Sequence, residues 1–264
     1  MHSLSLALIG VLHLVLALAV WRAKPERRVN RLFTLQTLTF AGWTFGNAVL
    51  QMRMWLDLGN MLAFACASLI PAFFLTFTIH YPDSKVQNVT IWQRAVFFVS
   101  GLFALASLAT NWLVYDVRFE GGELSRQPGT LYPFFIVYFV GVFSAGLIVF
   151  AEKWRRARER ERAQLNYYGL GLIIAAVGGI TSNLIVPAAT GSSSFSHFGP
   201  YFGLPLAALT AHTIIRHRFM DLRVVVHRGL TFTIATLCRP CHPWRSFYLS
   251  VAQCSCIERS PRRS

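Results

Sequence analysis

The sequence predicts an all-α membrane protein: a bundle of seven transmembrane helices, with the N-terminus outside and the C-terminus in the cytoplasm. Three observations lead there. The chain of 264 residues is 54% hydrophobic and only 14% charged, with a mean hydropathy of +0.46, whereas a soluble domain carries about 25% charge. Seven apolar runs, none containing Asp, Glu, Lys or Arg, reach the length of about 20 residues that a membrane helix needs. The basic residues fall mostly in alternate loops, and so on one side of the membrane.

The first run, Ser3–Trp21, could be taken for a signal peptide cleaved after Ala17-Leu18-Ala19. It lacks a positive n-region, it is long, and basic residues follow it instead of preceding it, so it reads as a retained helix. The second run, Leu32–Leu50, carries Gly42-x-x-x-Gly46. Small residues at this spacing let helices approach closely where lipid offers no hydrophobic drive between them. The third, Met61–Ile79, contains Pro71, read as a tolerated kink. The fourth is Ala95–Val114. The loop Tyr115–Tyr132 follows, with turn signals at Gly121-Gly122 and Pro128-Gly129, and predicts a small capping hairpin. The fifth run is Pro133–Ala151. Behind it, Lys153 to Arg162 (KWRRARERER) predicts a helical extension lying near anionic headgroups. The sixth, Tyr167–Ala188, holds Gly171-x-x-x-Ala175, Gly178-Gly179 and Pro187. The seventh, Phe198–Ile215, holds Pro205.

Loop charge sets the orientation. Counted through Arg228, the segments after runs one, three, five and seven hold seventeen Lys and Arg, and the opposite side holds Arg53, Arg118 and Arg126. The positive-inside rule puts the N-terminus outside and the C-terminus inside. That alternation requires an odd number of spans, so charge supports seven independently of hydropathy.

Several functions are excluded or weakened. A net charge of +14 would suit a nucleic-acid binder only as a basic face on a soluble module; here it follows membrane topology, and no nucleic-acid partner is expected. Retinal chemistry needs a buried Lys for the Schiff base, and Lys24, Lys85 and Lys153 all fall in loops. Pumping leaves ionisable groups within the membrane, and the runs hold only His13 and His212, with His80 just beyond the third. Asn88-Val89-Thr90 matches a glycosylation pattern but falls on the cytoplasmic side.

The polar residues inside the runs are mostly neutral. Gln36, Trp43 and Asn47 are spaced by seven and four and so share one helix face. Asn183 and Thr181 lie in the sixth run. Such a stripe lines a ligand cavity or makes ordinary interhelical hydrogen bonds. Gln36, Trp43, Asn47 and Asn183 are the candidate ligand-binding residues.

Three stretches carry a resemblance. The basic segment runs into RAQLNYYGLGLIIAAVGG, Arg162 to Gly179. The seventh run exits through HTIIRHRFMDLRVVVHRGLTFT, His212 to Thr233. The third closes with FTIHYP, Phe77 to Pro82. Together these resemble the N-terminal seven-transmembrane sensor region of bacterial membrane-bound histidine kinases. In that family an Arg-x-Gln…Gly pattern precedes and enters helix six, matched by Arg162, Gln164 and Gly169. A basic Arg-His-Arg-hydrophobic-x-Asp stretch follows helix seven, matched by Arg216, His217, Arg218 and Asp221. The resemblance covers about residues 1 to 233. It implies a multi-pass input module in the bacterial inner (plasma) membrane, expected to dimerise. The stimulus, a small molecule or a membrane property, is unknown. The signal-exit segment would include Arg216, His217, Arg218, Asp221 and Arg223.

The resemblance implies a cytoplasmic kinase core beyond this region. Only 31 residues follow Thr233, fewer than a domain of ordinary size needs. Neither a phosphoacceptor box nor an Asp-x-Gly-x-Gly motif occurs, so no enzyme activity is expected of the chain as given. The expected division is a sensor region at 1–218, a juxtamembrane segment at 219–237 and a disordered or aberrant tail at 238–264, reflecting truncation or a frame change near 237. Cys238-Arg239-Pro240-Cys241-His242 matches the c-type haem pattern, but topology puts it in the cytoplasm. Cys254 and Cys256 pair as Cys-x-Cys, a weak zinc signal. No cofactor or metal is expected. The alternative function is a small carrier of a neutral or lipid-like molecule.

Overall fold

A computed structural model describes residues 2–23, 25–81, 91–120, 123–190, 194–206 and Leu209. All belong to one unit, Met1–Val225. The expected juxtamembrane segment, the tail with its CRPCH motif, Lys24, Lys85 and Asn88 lie outside the described residues.

The chain runs α1 (His2–Ala23), α2 (Arg28–Gln51), α3 (Leu56–His80), α4 (Ile91–Ala109), β1 (Val114–Glu120), β2 (Glu123–Pro128), α5 (Tyr132–Arg156) and α6 (Glu159–Ile180). A π-helical turn at Thr181–Ile185, α7 (Val186–Thr190) and a 3₁₀ helix (Ser194–Phe202) follow. Among the described residues, five segments are long and apolar enough to cross a membrane: His2–Ala23, Leu56–His80, Ile91–Ala109, Tyr132–Arg156 and Leu165–Ile185.

The expected second span is a helix but is absent from those five, because α2 is the polar centre of the bundle. It buries Asn30, Thr34, Gln36, Thr37, Thr39, Thr44 and Asn47. In lipid such groups need partners close by. Four find them in their own helix: the Thr37, Thr39 and Thr44 hydroxyls donate to the Phe33, Gln36 and Phe40 carbonyls at 2.7–2.8 Å, and the Asn47 amide to Trp43 O at 2.9 Å. Thr34 and Asn30 instead reach Ala17 O and Val20 O on α1, each at 3.3 Å.

Gly42 and Gly46 perform the packing expected of them, against α3. A Cβ on Gly46 would sit 2.5 Å from Ala63 N and 2.8 Å from Ala63 Cα, and one on Gly42 would collide with Cys66 Sγ. Gly171 on α6 meets Leu206 in the same way, its Cβ position 2.8 Å from Leu206 Cα. Pro71 sits inside an uninterrupted α3.

The expected hairpin is present. β1 and β2 pair antiparallel, with Val114 opposite Pro128 and Glu120 opposite Glu123. It ends the fourth span early: the helix occupies Ile91–Ala109 instead of Ala95–Val114. The chain is claimed at the expected end of that run by the bonds Gly129 N–H to Leu113 O and Leu131 N–H to Trp112 O, both 2.9 Å.

KWRRARERER is not one extension. α5 ends at Arg156, Ala157 turns extended (φ −69°, ψ 143°), and α6 starts at Glu159. Two cations stabilise this end by capping orphan carbonyls at helix C-termini. Lys153 Nζ donates to Ile79 O and Tyr81 O (2.5 and 2.9 Å), at the end of α3. Arg162 Nη2 donates to Arg155 O at 2.9 Å, its guanidinium 5.2 Å from the Trp154 ring centre.

The expected seventh span, Phe198–Ile215, begins differently: its first residues complete the 3₁₀ helix Ser194–Phe202, and a helical turn follows at 203–206. Pro200 and Pro205 each lack an N–H for an α-helical ladder. Most of that span lies outside the described residues.

Candidate functional site

A cavity opens among α2, α3, α5 and α6, beneath the hairpin. Phe40, Trp43 and Asn47 line it from α2, and Ala63, Phe64, Ala67 and Ile70 from α3. Phe135, Phe139 and Phe143 face it from α5. Ala175, Ala176 and Gly179 face it from α6, and the π turn adds Asn183 and Leu184. Its volume, measured by where the centre of a water-sized molecule fits, is about 50 Å³. At about 10–15 Å³ per water on that measure, it admits a few waters or a slender apolar group.

The walls follow from helix periodicity. Ala63, Phe64, Ala67 and Ile70 recur at intervals of one, three and three, and Phe135, Phe139 and Phe143 at four, each set forming one stripe. Small side chains on α3 and α6 leave the space, and rings on α5 and α2 bound it. Phe139 and Phe143 stack with centroids 6.0 Å apart, and Phe64 meets Phe135 edge-on at 5.7 Å. The π turn interrupts the α6 register just where Asn183 joins the wall. Such turns recur at functional sites. Asn183 Nδ2 donates to Ser182 Oγ at 2.9 Å, and the Tyr132 hydroxyl donates to Asn183 O at 3.2 Å.

Three of the four candidate residues therefore meet. Gln36 does not join them. It lies about 10 Å along α2 from Trp43 at 1.5 Å per residue, where Tyr168 of α6 intercepts it: the phenol donates to Gln36 Oε1 at 3.2 Å. Phe33, Phe77 and Phe150 surround that phenol ring at centroid distances of 5.4–6.2 Å. Gln36 is thus a bundle hydrogen-bond partner. Arg216, His217, Arg218, Asp221 and Arg223 lie outside the described residues.

The residue that sequence reasoning left as a loop charge is Arg126. It is only 7% exposed and lines the cavity from β2. Its Nη1 donates to Asn60 Oδ1 at 3.3 Å, and its guanidinium sits 5.4 Å from the Phe64 ring centre. Burial pulls its pKa down to about 10, partly offset by the neighbouring Tyr132 phenol, so it remains cationic at neutral pH. A signal for it existed. On a strand, residues two apart share a face, so once Leu124 (4% exposed) points inward, Arg126 does too. The hairpin is fastened beside it by Arg53 (φ +59°), whose guanidinium lies 4.3 Å from the Phe119 ring centre.

The lining is apolar and aromatic, with Asn47, Asn183 and Arg126 as its polar points. Among the described residues, no group of three His, Cys, Asp or Glu could hold a metal ion. The arrangement is built to bind, and the chemistry it offers is a cation and amides over rings.

No curated protein matches the chain. The profile of the N-terminal 7TM region of histidine kinase matches residues 5–223. That range takes in every wall of the cavity, the hairpin above it, and the α3 and α5 ends capped by Lys153 and Arg162. With most of its length in that match, the chain belongs to the family of N-terminal 7TM regions of histidine kinases, membrane-embedded sensor regions.

Proposed function

We propose that this chain is the signal-input module of a two-component histidine kinase of the bacterial plasma membrane, N-terminus outside, with the cavity as its stimulus site. Occupancy of the cavity biases the packing of α2, α3, α5 and α6 between two arrangements. The shift passes through the seventh span and its basic exit, Arg216 to Arg228, to a cytoplasmic partner. A ligand moves such an equilibrium only by binding one arrangement better than the other. The observation that carries the reading is a cavity bounded by four helices and the hairpin in a chain of this family. Its walls include the Gly46–Ala63 contact region, where a packing change reaches two helices at once.

The test fuses the chain to a cytoplasmic histidine kinase core in membrane vesicles and reads autophosphorylation. Ala67→Trp, which fills the cavity, is expected to change the basal level severalfold. A disulfide locking α6 to the turn at 203–206 is expected to abolish any further response. Unchanged phosphorylation in both variants, with the protein inserted and folded, refutes the reading. Flux of a neutral solute across vesicles containing the chain alone would instead favour a carrier.

A further inference from the structure

We propose that the cavity binds an amphiphilic organic monoanion: an apolar body among Phe64, Phe135, Phe139 and Phe143, and a carboxylate-like head on Arg126. The signalling consequence rests on the stimulus-site reading above; the binding itself does not.

The argument starts from the cost of Arg126. A guanidinium withdrawn from water is expensive unless charge-paired and hydrogen-bonded. Arg126 forms no ion pair with a described residue. On the exposed side of the hairpin, Arg118 pairs with Asp116 at 3.0 Å and Glu120 at 2.7 Å. Of the five N–H donors a guanidinium carries, Arg126 has one on Asn60 Oδ1, at the long distance of 3.3 Å. The Phe64 ring takes part of its charge. Arg126 lines the cavity, and a planar guanidinium fork matches a carboxylate in two-point contact.

The body of the ligand follows from the remaining walls. They are rings and small apolar side chains, and reach from Ala63 to Ile70 along α3, about 10 Å at 1.5 Å per residue. A free inorganic anion would leave that length unfilled, and a neutral hydrocarbon would leave the guanidinium unpaired. One molecule with an anionic head and a slender apolar body satisfies both. Its head lies under the hairpin, beside Asn60 in the first turns of α3.

The test measures equilibrium binding of radiolabelled octanoate to the purified full chain in zwitterionic vesicles, with octanol as the neutral counterpart. Wild type is expected to bind octanoate at least tenfold more tightly than octanol. Arg126→Gln, which can still bond Asn60, is expected to erase that preference, while Arg118→Gln on the exposed face of the hairpin leaves it intact. Ala67→Trp keeps Arg126 and is expected to lose both ligands, a control that stands if Arg126→Gln does not fold. Phosphatidylglycerol displacing octanoate would identify the bilayer as the source of the same head chemistry; no displacement identifies the aqueous phase. Equal binding of octanoate and octanol by wild type, or an unchanged preference in folded Arg126→Gln, overturns the proposal. Failure here leaves the phosphorylation test untouched, because no kinase readout enters it.

Discussion

Glycine-to-alanine exchange should have opposite signs at two helical positions. At Gly46 the new methyl would sit 2.5 Å from Ala63 N, and at Gly141 it would meet nothing within 4 Å. Ordinary contact begins near 3.4 Å, so at position 46 α2 and α3 must part by about 1 Å. The obstacle is backbone and cannot rotate away. Overpacking of this kind sits at the upper end of its range, about 3 kcal/mol, while alanine's better helix propensity returns about 1 kcal/mol. Gly46→Ala should therefore lose about 2 kcal/mol, and Gly141→Ala should gain up to about 1 kcal/mol. Titration of the purified protein in mixed micelles with a denaturing detergent, followed by circular dichroism, measures both. Gly46→Ala unfolding at or beyond the wild-type midpoint would refute the close α2–α3 approach, and with it the floor of the cavity.

Three further outcomes follow from the geometry. Tyr168→Phe strips Gln36 of its buried donor and should cost about 1–3 kcal/mol; the same detergent titration reads it, and a Gln36→Leu, Tyr168→Phe double variant should recover part of the loss. Lys153→Met keeps the stem but uncaps Ile79 O and Tyr81 O; it should cost about 1–2 kcal/mol and raise hydrogen exchange at the end of α3 first. In a protein whose native cysteines are replaced by Ser, Thr130→Cys beside the hairpin should react with an impermeant maleimide in intact cells. Labelling only after lysis would reverse the proposed orientation.

Trp43, Asn47 and Asn183 illustrate what was legible locally. Helix periodicity is a property of the chain alone, so a shared face could be read from spacing. A shared face is not a shared depth. Gln36 belongs to the same stripe as Trp43, yet it faces Tyr168 instead of the cavity, and only the approach of α6 determines that. Arg126 shows the opposite failure. As a loop charge it entered the orientation count, and its burial depended on a hairpin whose inner face has meaning only over a packed bundle. The basic segment after α5 misled for a third reason: a helix-favouring composition continues through Arg162, but Ala157 breaks the helix so that Arg162 can return to the α5 carbonyls.

By itself the sequence determined a membrane protein of long apolar helices, a hairpin between the fourth and fifth of its apolar runs, and its resemblance to histidine kinase sensor regions. These follow from hydropathy, turn residues and short motifs, all set by neighbours in the chain. The tertiary structure alone decided that α2 is the polar centre of the bundle, that the cavity lies among α2, α3, α5 and α6, and that a buried arginine borders it. Those depend on which helices approach closely enough at Gly42, Gly46 and Gly171 to exclude a side chain, a contact between residues far apart in sequence that no local pattern encodes.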